Sequence, residues 1–421
     1  MHYFDYKNGE LHAENVSLRE IAEQVGTPFY CYSAATFTRH IKMFQQSFAD
    51  RDALICYAMK ANSNQAILTL IAKLGAGVDT VSGGEIKRAI SAGFPPSKIV
   101  YSGVAKTHGE IKYGLELGIH CFNAESEPEL IRINQVAQEM GVKAPVSVRV
   151  NPDVDAGGHE KIMTGKAENK FGIPWKRIDK IYDLIASLEN LEVVGIDLHI
   201  GSQITDLEPF AEAFKRVGTL VTSLRASGHN IQHVDFGGGL GVPYKNDNDI
   251  PPHPDEYAAM INRVAGDLGV KYIFEPGRMI AANAGVLVTK VEYVKQGDGR
   301  DFVITDVGMN DLIRPTLYEA YHDIKPVTEP KDGFKTRKVD VVGPVCETGD
   351  YMAKGRDLPI FKEADLLAIM SAGAYGAVQS GTYNTRPLIP EVLVDGDRFA
   401  VIRKRQSVDE IIAMDNVPDW V

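Results

Sequence analysis

Between about residue 50 and residue 280, eight short runs rich in β-branched, aromatic and other apolar residues alternate with segments of helical period, and nothing else in the chain limits its fold as strongly. The runs are 54–59, 78–81, 99–102, 121–124, 146–150, 193–199, 233–236 and 272–275. Between them lie amphipathic stretches such as 64–74, where Ile67, Leu70, Ile71 and Leu74 fall on one face ahead of Gly75. Eight strand–helix units over roughly 250 residues predict a (β/α)8 TIM-like barrel. A doubly wound open sheet also alternates strands with helices, so the count of eight carries the preference.

The chain has 421 residues, more than one ordinary domain needs. After the barrel the pattern turns β-rich again, with strand-like runs at 286–293, 302–305, 366–369 and 391–394, and Asp395-Gly396 set to join the last of these to 398–403 as a hairpin. Ser407-Val408-Asp409-Glu410 has the spacing that caps a closing helix. At the other end, Asn8-Gly9 between 4–7 and 10–13 predicts a hairpin too short to stand alone. The expected organisation is a barrel at 30–282 and a second, mostly β domain built from 283–421 that also takes 1–29. Ser17-Leu18-Arg19-Glu20 has capping-box spacing for a helix ending near Gly26. The stretch 151–170, rich in Gly, Asp and Lys, is long enough for an active-site lid.

A charge balance of 45 basic against 56 acidic residues, −11 overall, disfavours binding to nucleic acid. The first residues lack the apolar centre of a signal peptide and no run is long enough to span a bilayer, so a cytoplasmic location and no membrane partner are expected. Cys31, Cys56, Cys121 and Cys346 are too scattered for a disulfide scaffold and form no CxxC pair, so no metal is expected; the first three sit in apolar surroundings that read as core.

In a barrel of this kind the reacting groups gather where the strands end. Lys60 follows the first run, Asp79 lies in the second, His199 ends the sixth, Gly237-Gly238-Gly239 follows the seventh and Glu275 ends the eighth. A lysine held rigidly and partly desolvated loses its proton more readily, as imine formation with a carbonyl requires; taken alone, a strand-end lysine is more often a surface residue. Three glycines let backbone N–H groups converge on a phosphate, though a tight turn reads the same way; the GxGxxG spacing of a dinucleotide site is absent. Glu275-Pro276-Gly277-Arg278 adds a carboxylate and a guanidinium beside them, and a structural ion pair is the plainer reading. Together, an imine-forming lysine, a phosphate cradle and a strand-end carboxylate able to keep a pyridine nitrogen protonated point to pyridoxal 5'-phosphate used as an electron sink. His199 is placed to stack on the ring, although a lone histidine is more often structural; Asp79 is placed to orient His199 or the lysine loop.

These residues carry a resemblance. Tyr57-Ala58-Met59-Lys60-Ala61-Asn62, His199-Ile200-Gly201-Ser202, the triple glycine, Glu275-Pro276-Gly277-Arg278, Arg314-Pro315-Thr316-Leu317-Tyr318 and Cys346-Glu347-Thr348-Gly349-Asp350 together resemble the meso-diaminopimelate decarboxylases of the alanine-racemase-like, fold-type III pyridoxal-phosphate group, over essentially the whole chain. The resemblance implies decarboxylation of meso-2,6-diaminopimelate to L-lysine and CO2, the last step of lysine biosynthesis. It implies Lys60 as the Schiff-base lysine, Glu275 as the ring-nitrogen partner and His199 against the ring. Ser202, Gly237, Gly238, Gly239, Gly277 and Arg278 would surround the phosphate, with Tyr375 approaching from the C-terminal domain. Arg278, Arg314 and Tyr318 would hold substrate carboxylate, Glu347 the distal ammonium, and Cys346, entering from the partner subunit of a homodimer, would return the proton. From pattern alone, Arg314 and Tyr318 read as a surface i, i+4 pair, and Cys346, after the apolar run 341–345, as a buried thiol.

Ornithine, arginine and carboxynorspermidine decarboxylases are the rivals within this chemistry. The fixed guanidinium of Arg314 suits a second substrate carboxylate, which favours diaminopimelate. A non-catalytic relative of the fold would be expected to lose the lysine or the phosphate loop, and both are present. Racemisation is disfavoured by a carboxylate at Glu275, because a protonated ring nitrogen loosens control over where the proton returns.

Overall fold

The structure is a computed structural model that describes residues 2–154, 170–245 and 251–421. It contains the expected barrel. Eight parallel strands, Ala53–Ala58, Gly77–Thr80, Ile99–Tyr101, Cys121–Ala124, Ala144–Asn151, Leu191–Asp197, His233–Asp235 and Lys271–Phe274, are hydrogen-bonded in sequence order, and the eighth returns to the first with Phe274 opposite Ile55. Each run read from the sequence lands on one of them, displaced by three residues or fewer at either end. A two-residue strand, Ile173–Pro174, adds to the far end of the fifth.

Local chemistry sets the helices between the strands. Asn64, Ser82, Thr107 and Ser126 each accept a backbone N–H at a helix N-terminus. Gly93, Gly118 and Gly141, in the left-handed region, close three of these helices and turn the chain back towards the next strand. The helix Ala34–Ser47 carries Phe37, Ile41 and Phe44 at i, i+4 and i+7, and Phe48 continues the stripe just beyond it. Phe44 and Phe48 meet Tyr257 and Phe274, the Phe48 and Phe274 rings stacking at 4.1 Å; each such buried ring contributes about 1.5–3 kcal/mol. Cys56, Val100, Cys121, Val194 and Ile273 form a small-residue core among the strands.

The second body is β-rich. Its main sheet runs, strand beside strand, Tyr351–Pro359, Thr336–Val342, Asp301–Thr305, Gly285–Lys295, Phe29–Ser33, Glu391–Asp395 and Arg398–Arg403, with Leu366–Ile369 paired to Gly285–Lys295 and Ile324–Pro326 paired in turn to Leu366–Ile369. Phe29–Ser33 is central, antiparallel to Gly285–Lys295 and parallel to Glu391–Asp395. The opening hairpin forms with Asn8 and Gly9 both at positive φ, as its turn type needs, and Phe4, Leu11 and Ala13 share a core with Val286, Val288 and Val392. The two-residue loop of the closing hairpin is Gly396-Asp397, one residue later than expected, since Asp395 pairs with Arg398. By contact density the chain divides into Met1–Phe37, Pro243–Asp249 and Ala281–Val421 as one unit and Thr38–Val242 with Ile250–Ile280 as the other. Most of the candidate lid at 151–170 lies outside the described residues. Among the described residues no helix is long and apolar enough to cross a membrane.

Candidate active site

The barrel gathers Lys60, Asp79, His199, Ser202, Gly237, Gly238, Gly239, Glu275, Gly277 and Arg278 on one end, where its strands finish. Lys60 sits in a 3-10 turn, Met59–Ala61, straight after the first strand, and its amine donates to Asp79 Oδ2 at 3.1 Å. The lysine side chain is 38% exposed while that of Asp79 is wholly buried, so the amine is presented to solvent from a fixed anchor. Of the two roles open to Asp79, orienting the lysine is the one its contact serves.

Three backbones converge at the glycine loop. A Cβ on Gly237 would lie 2.3 Å from the Leu198 carbonyl oxygen, one on Gly238 2.3 Å from that of Glu275, and one on Gly239 2.8 Å from that of Gly201. The loop after the seventh strand is thus wedged between those after the sixth and eighth, which only residues without a side chain permit. The N–H of Gly237 donates to Asp235 Oδ1 at 2.9 Å and that of Gly238 to His199 Nδ1 at 3.2 Å. These two donors hold the site together. Beside the loop stand Ser202 and Arg278. Arg278 brings that pair together, its Nε and Nη2 donating to Ser202 Oγ at 3.2 and 3.0 Å.

Accepting from Gly238 leaves the His199 proton on Nε2, and burial, reinforced by the Arg149 and Lys60 charges, pushes its pKa well below the usual histidine range. The ring is neutral and flat. Beneath it lies an excess of carboxylate: oxygens of Asp197, Asp235 and Glu275 fall within 4.8 Å of one another. Burial and the charges of Asp235, Asp79 and Asp197 push the Glu275 carboxyl well above its ordinary range, and Ser102 donates to it at 3.4 Å. Asp235 Oδ2 is buried without a hydrogen-bond partner, and burial pushes the Asp235 carboxyl up to about 7. Asp79 Oδ1 and Asp197 Oδ1 are buried without partners as well. Arg149 is shared between Glu125 at 3.1 Å and Asp197 at 3.9 Å. A cluster this short of positive charge fits a cationic ring N–H, and with a presented lysine and the Ser202–Arg278 pair the residues fit pyridoxal phosphate.

In the β-rich unit the two pattern-based readings are overturned. Arg314 opens the short helix Arg314–Tyr318 but is 5% exposed, not a surface residue: its guanidinium lies 4.7 Å over the Tyr244 ring and bonds His322 Nε2 at 3.0 Å. Cys346 is exposed, not a buried thiol, because the run 341–345 ends in a turn and not in core. Asp350 ties that turn, accepting from Val345 N–H and Met309 N–H at 2.6 Å each, and Cys346 N–H donates to Asn384 Oδ1 at 3.1 Å. Glu347, beside it, bonds the exposed Tyr383 hydroxyl and raises its pKa. Gln379 reaches the Tyr318 hydroxyl at 3.5 Å, and Tyr375 stands at φ 56°, a strained value for a non-glycine residue. Asp197, Asp235 and Arg149 escaped the sequence reading. A charged residue inside an apolar strand, as in Ser147-Val148-Arg149-Val150, was the available signal.

Comparison with known proteins agrees with this chemistry. Residues 34–282 match the pyridoxal-dependent decarboxylase family, pyridoxal binding domain. A diaminopimelate decarboxylase of Vibrio cholerae is 52% identical over 419 residues, covering 99% of both chains. The crystal structure of diaminopimelate decarboxylase from M. jannaschii in co-complex with L-lysine superposes with a TM-score of 0.94 at 37% identity, covering 99% of this chain and 98% of that one. An arginine decarboxylase of Paramecium bursaria Chlorella virus, at 21% identity and a TM-score of 0.79 over 90% of this chain and 98% of its own, shares the fold.

Proposed function

Since the chain belongs to the diaminopimelate decarboxylases and uses pyridoxal 5'-phosphate to release CO2 from diaminopimelate and leave L-lysine, we propose that Lys60 carries the cofactor and that the strand-end groups around it divide the work. The single observation behind this assignment is the Lys60–Asp79 pair: a presented amine anchored on a buried carboxylate, at the end of the first strand. When bound, the cofactor supplies an electron-poor ring that takes up the electron pair freed as the Cα–carboxylate bond breaks.

The protein's own part is positional and electrostatic. Asp79 fixes Lys60 Nζ. Glu275 holds a proton against the ring nitrogen, and a cation there relieves the crowding of Asp79, Asp197 and Asp235 that raises its pKa. His199, held neutral by burial and aimed by Gly238, offers a flat uncharged face that adds no competing charge. Arg278, Ser202, Gly277 and the Gly237–Gly239 turn would take the phosphate. Arg314 and Tyr318 are assigned to substrate carboxylate, as is Arg278, with Glu347 on the distal ammonium and Tyr375 on the phosphate; Cys346 is assigned as the acid that returns a proton to Cα, all on the family resemblance. The same resemblance supports meso-diaminopimelate as the stereoisomer used, a homodimer in which Cys346 and Glu347 serve the partner's site, and a cytoplasmic location. The low identity to the arginine decarboxylase and the fork of Arg314 count against a monocarboxylate substrate.

The deciding experiment is the visible spectrum of the protein loaded with pyridoxal phosphate, for wild type and Lys60→Ala, followed by CO2 release from meso-diaminopimelate. Wild type gives a band that borohydride bleaches and releases CO2. Lys60→Ala gives neither. A bleachable band persisting in the variant would move the attachment to another lysine.

A further inference from the structure

At the opposite end of the barrel, where the strands begin, a second group of reactive side chains meets. His120 immediately precedes the fourth strand, Cys121 is that strand's first residue, and His233 is the first residue of the seventh. One donor atom from each lies within 4.8 Å of the others. Cys121 Sγ is 3.9 Å from His233 Nε2, and the two imidazole rings are 5.2 Å apart. A tetrahedral ion with bonds of about 2.0–2.3 Å spaces nitrogen and sulfur ligands only a few tenths of an ångström closer than this.

Two features separate the group from ordinary core. The His120 ring bonds the Ser97 backbone on one side, while its Nε2 is buried with no hydrogen-bond partner. The Ser97 bond is therefore made by the Nδ1 proton, and Nε2 is left as a dry lone pair, the state in which a histidine ligates metal. Secondly, a Cβ on Gly195 would lie 2.2 Å from His233 Nε2, so the sixth strand gives up a side chain to let that ring lie across it. The group borders a cavity of about 820 Å³ whose lining includes His120, His233, Gln232, Glu192 and Lys271. Such a cavity can supply water as a fourth ligand, and the Lys271 charge in it is paired with Asp52 at 3.4 Å.

We propose that His120, Cys121 and His233 bind one divalent ion of the zinc class, joining the fourth and seventh strands across the floor of the barrel. One thiolate and two imidazoles form a set that favours a borderline-soft ion over magnesium or calcium. On binding, the sulfur–hydrogen bond of Cys121 breaks, its proton goes to solvent, and the sulfur lone pair forms the bond to the metal; no electron is transferred.

The test uses the full-length holoenzyme, stripped with chelator, desalted and titrated with Co2+ as the spectroscopic probe. Wild type should take up one equivalent, with the intense red-region bands of tetrahedral cobalt, clear of pyridoxal absorption, and a thiolate-to-cobalt charge-transfer band. Cys121→Ser should lose the charge-transfer band. His120→Ala, at a partly exposed position, should bind more than about 10-fold more weakly, since even outer-shell losses weaken metal sites that much. Zn2+ should raise the melting temperature of wild type and not of His120→Ala, with CO2 release unaltered in both. Absence of stoichiometric uptake by wild type, or tight uptake preserved in both variants, would overturn the proposal.

Discussion

Asp311 shows how far one buried side chain can make stability depend on pH. It is 1% exposed, its carboxylate accepts from Gly308 N–H at 3.0 Å and the Asn310 amide at 3.1 Å, and burial still pushes its pKa up to about 6. Between pH 4 and 6 the folded chain therefore keeps a proton that the unfolded chain has released, and stability falls as pH rises through that window. In urea titrations at stepped pH, the stability of wild type minus that of Asp311→Asn should drop by up to about 3 kcal/mol from pH 4 to pH 7. Arg314 makes a complementary case. Its guanidinium is stacked on Tyr244 and bonded to His322, so Arg314→Lys keeps the charge but loses the fork. The KM for diaminopimelate should rise roughly 10–100-fold with the melting temperature little changed; unaltered kinetics would remove Arg314 from the substrate assignment.

At the scale of elements, caps and turns were legible because their chemistry is local. The helix His108–Leu117 begins with a reciprocal pair, Thr107 accepting from Glu110 N–H while Glu110 accepts from Thr107 N–H. Thr107→Ala should cost about 1 kcal/mol in chemical denaturation. The eight barrel strands were legible for a different reason: most of their residues are buried, so each reads as a short, largely apolar run between turn signals, broken only here and there by a charge such as Asp79 or Arg149. Thr336–Val342 and Tyr351–Pro359 were missed because their sheet is wet on one side, so Arg337, Lys338, Lys354 and Arg356 interrupt the run. The site divides along the same line. Residues just past a strand end, such as Lys60 and Glu275, could be located from the alternation alone. The buried environments of Asp197, Asp235 and Arg314 arise from long-range pairing that no local window contains.

At the scale of the whole molecule, the proposed homodimer with shared sites makes a quantitative prediction. Lys60→Ala and Cys346→Ala proteins should each be inactive or nearly so, with the second down about 10²–10⁴-fold in kcat for loss of a general acid. Mixed in equal amounts under conditions that exchange subunits, half the dimers are hybrids with one intact site each, so activity should recover to roughly a quarter of wild type. No recovery would place Lys60 and Cys346 in the same subunit's site. The β-rich unit holds its own record of chain order. Phe29–Ser33, buried along its whole length, finds its two neighbouring strands only in Gly285–Lys295 and Glu391–Asp395. A ribosome adding about 5–20 residues per second needs about 13–50 s to travel from Ser33 to Gly285. Throughout that interval the strand is a sticky ribbon with both edges open, and the nascent chain depends on whatever shields it until the last hundred or so residues emerge.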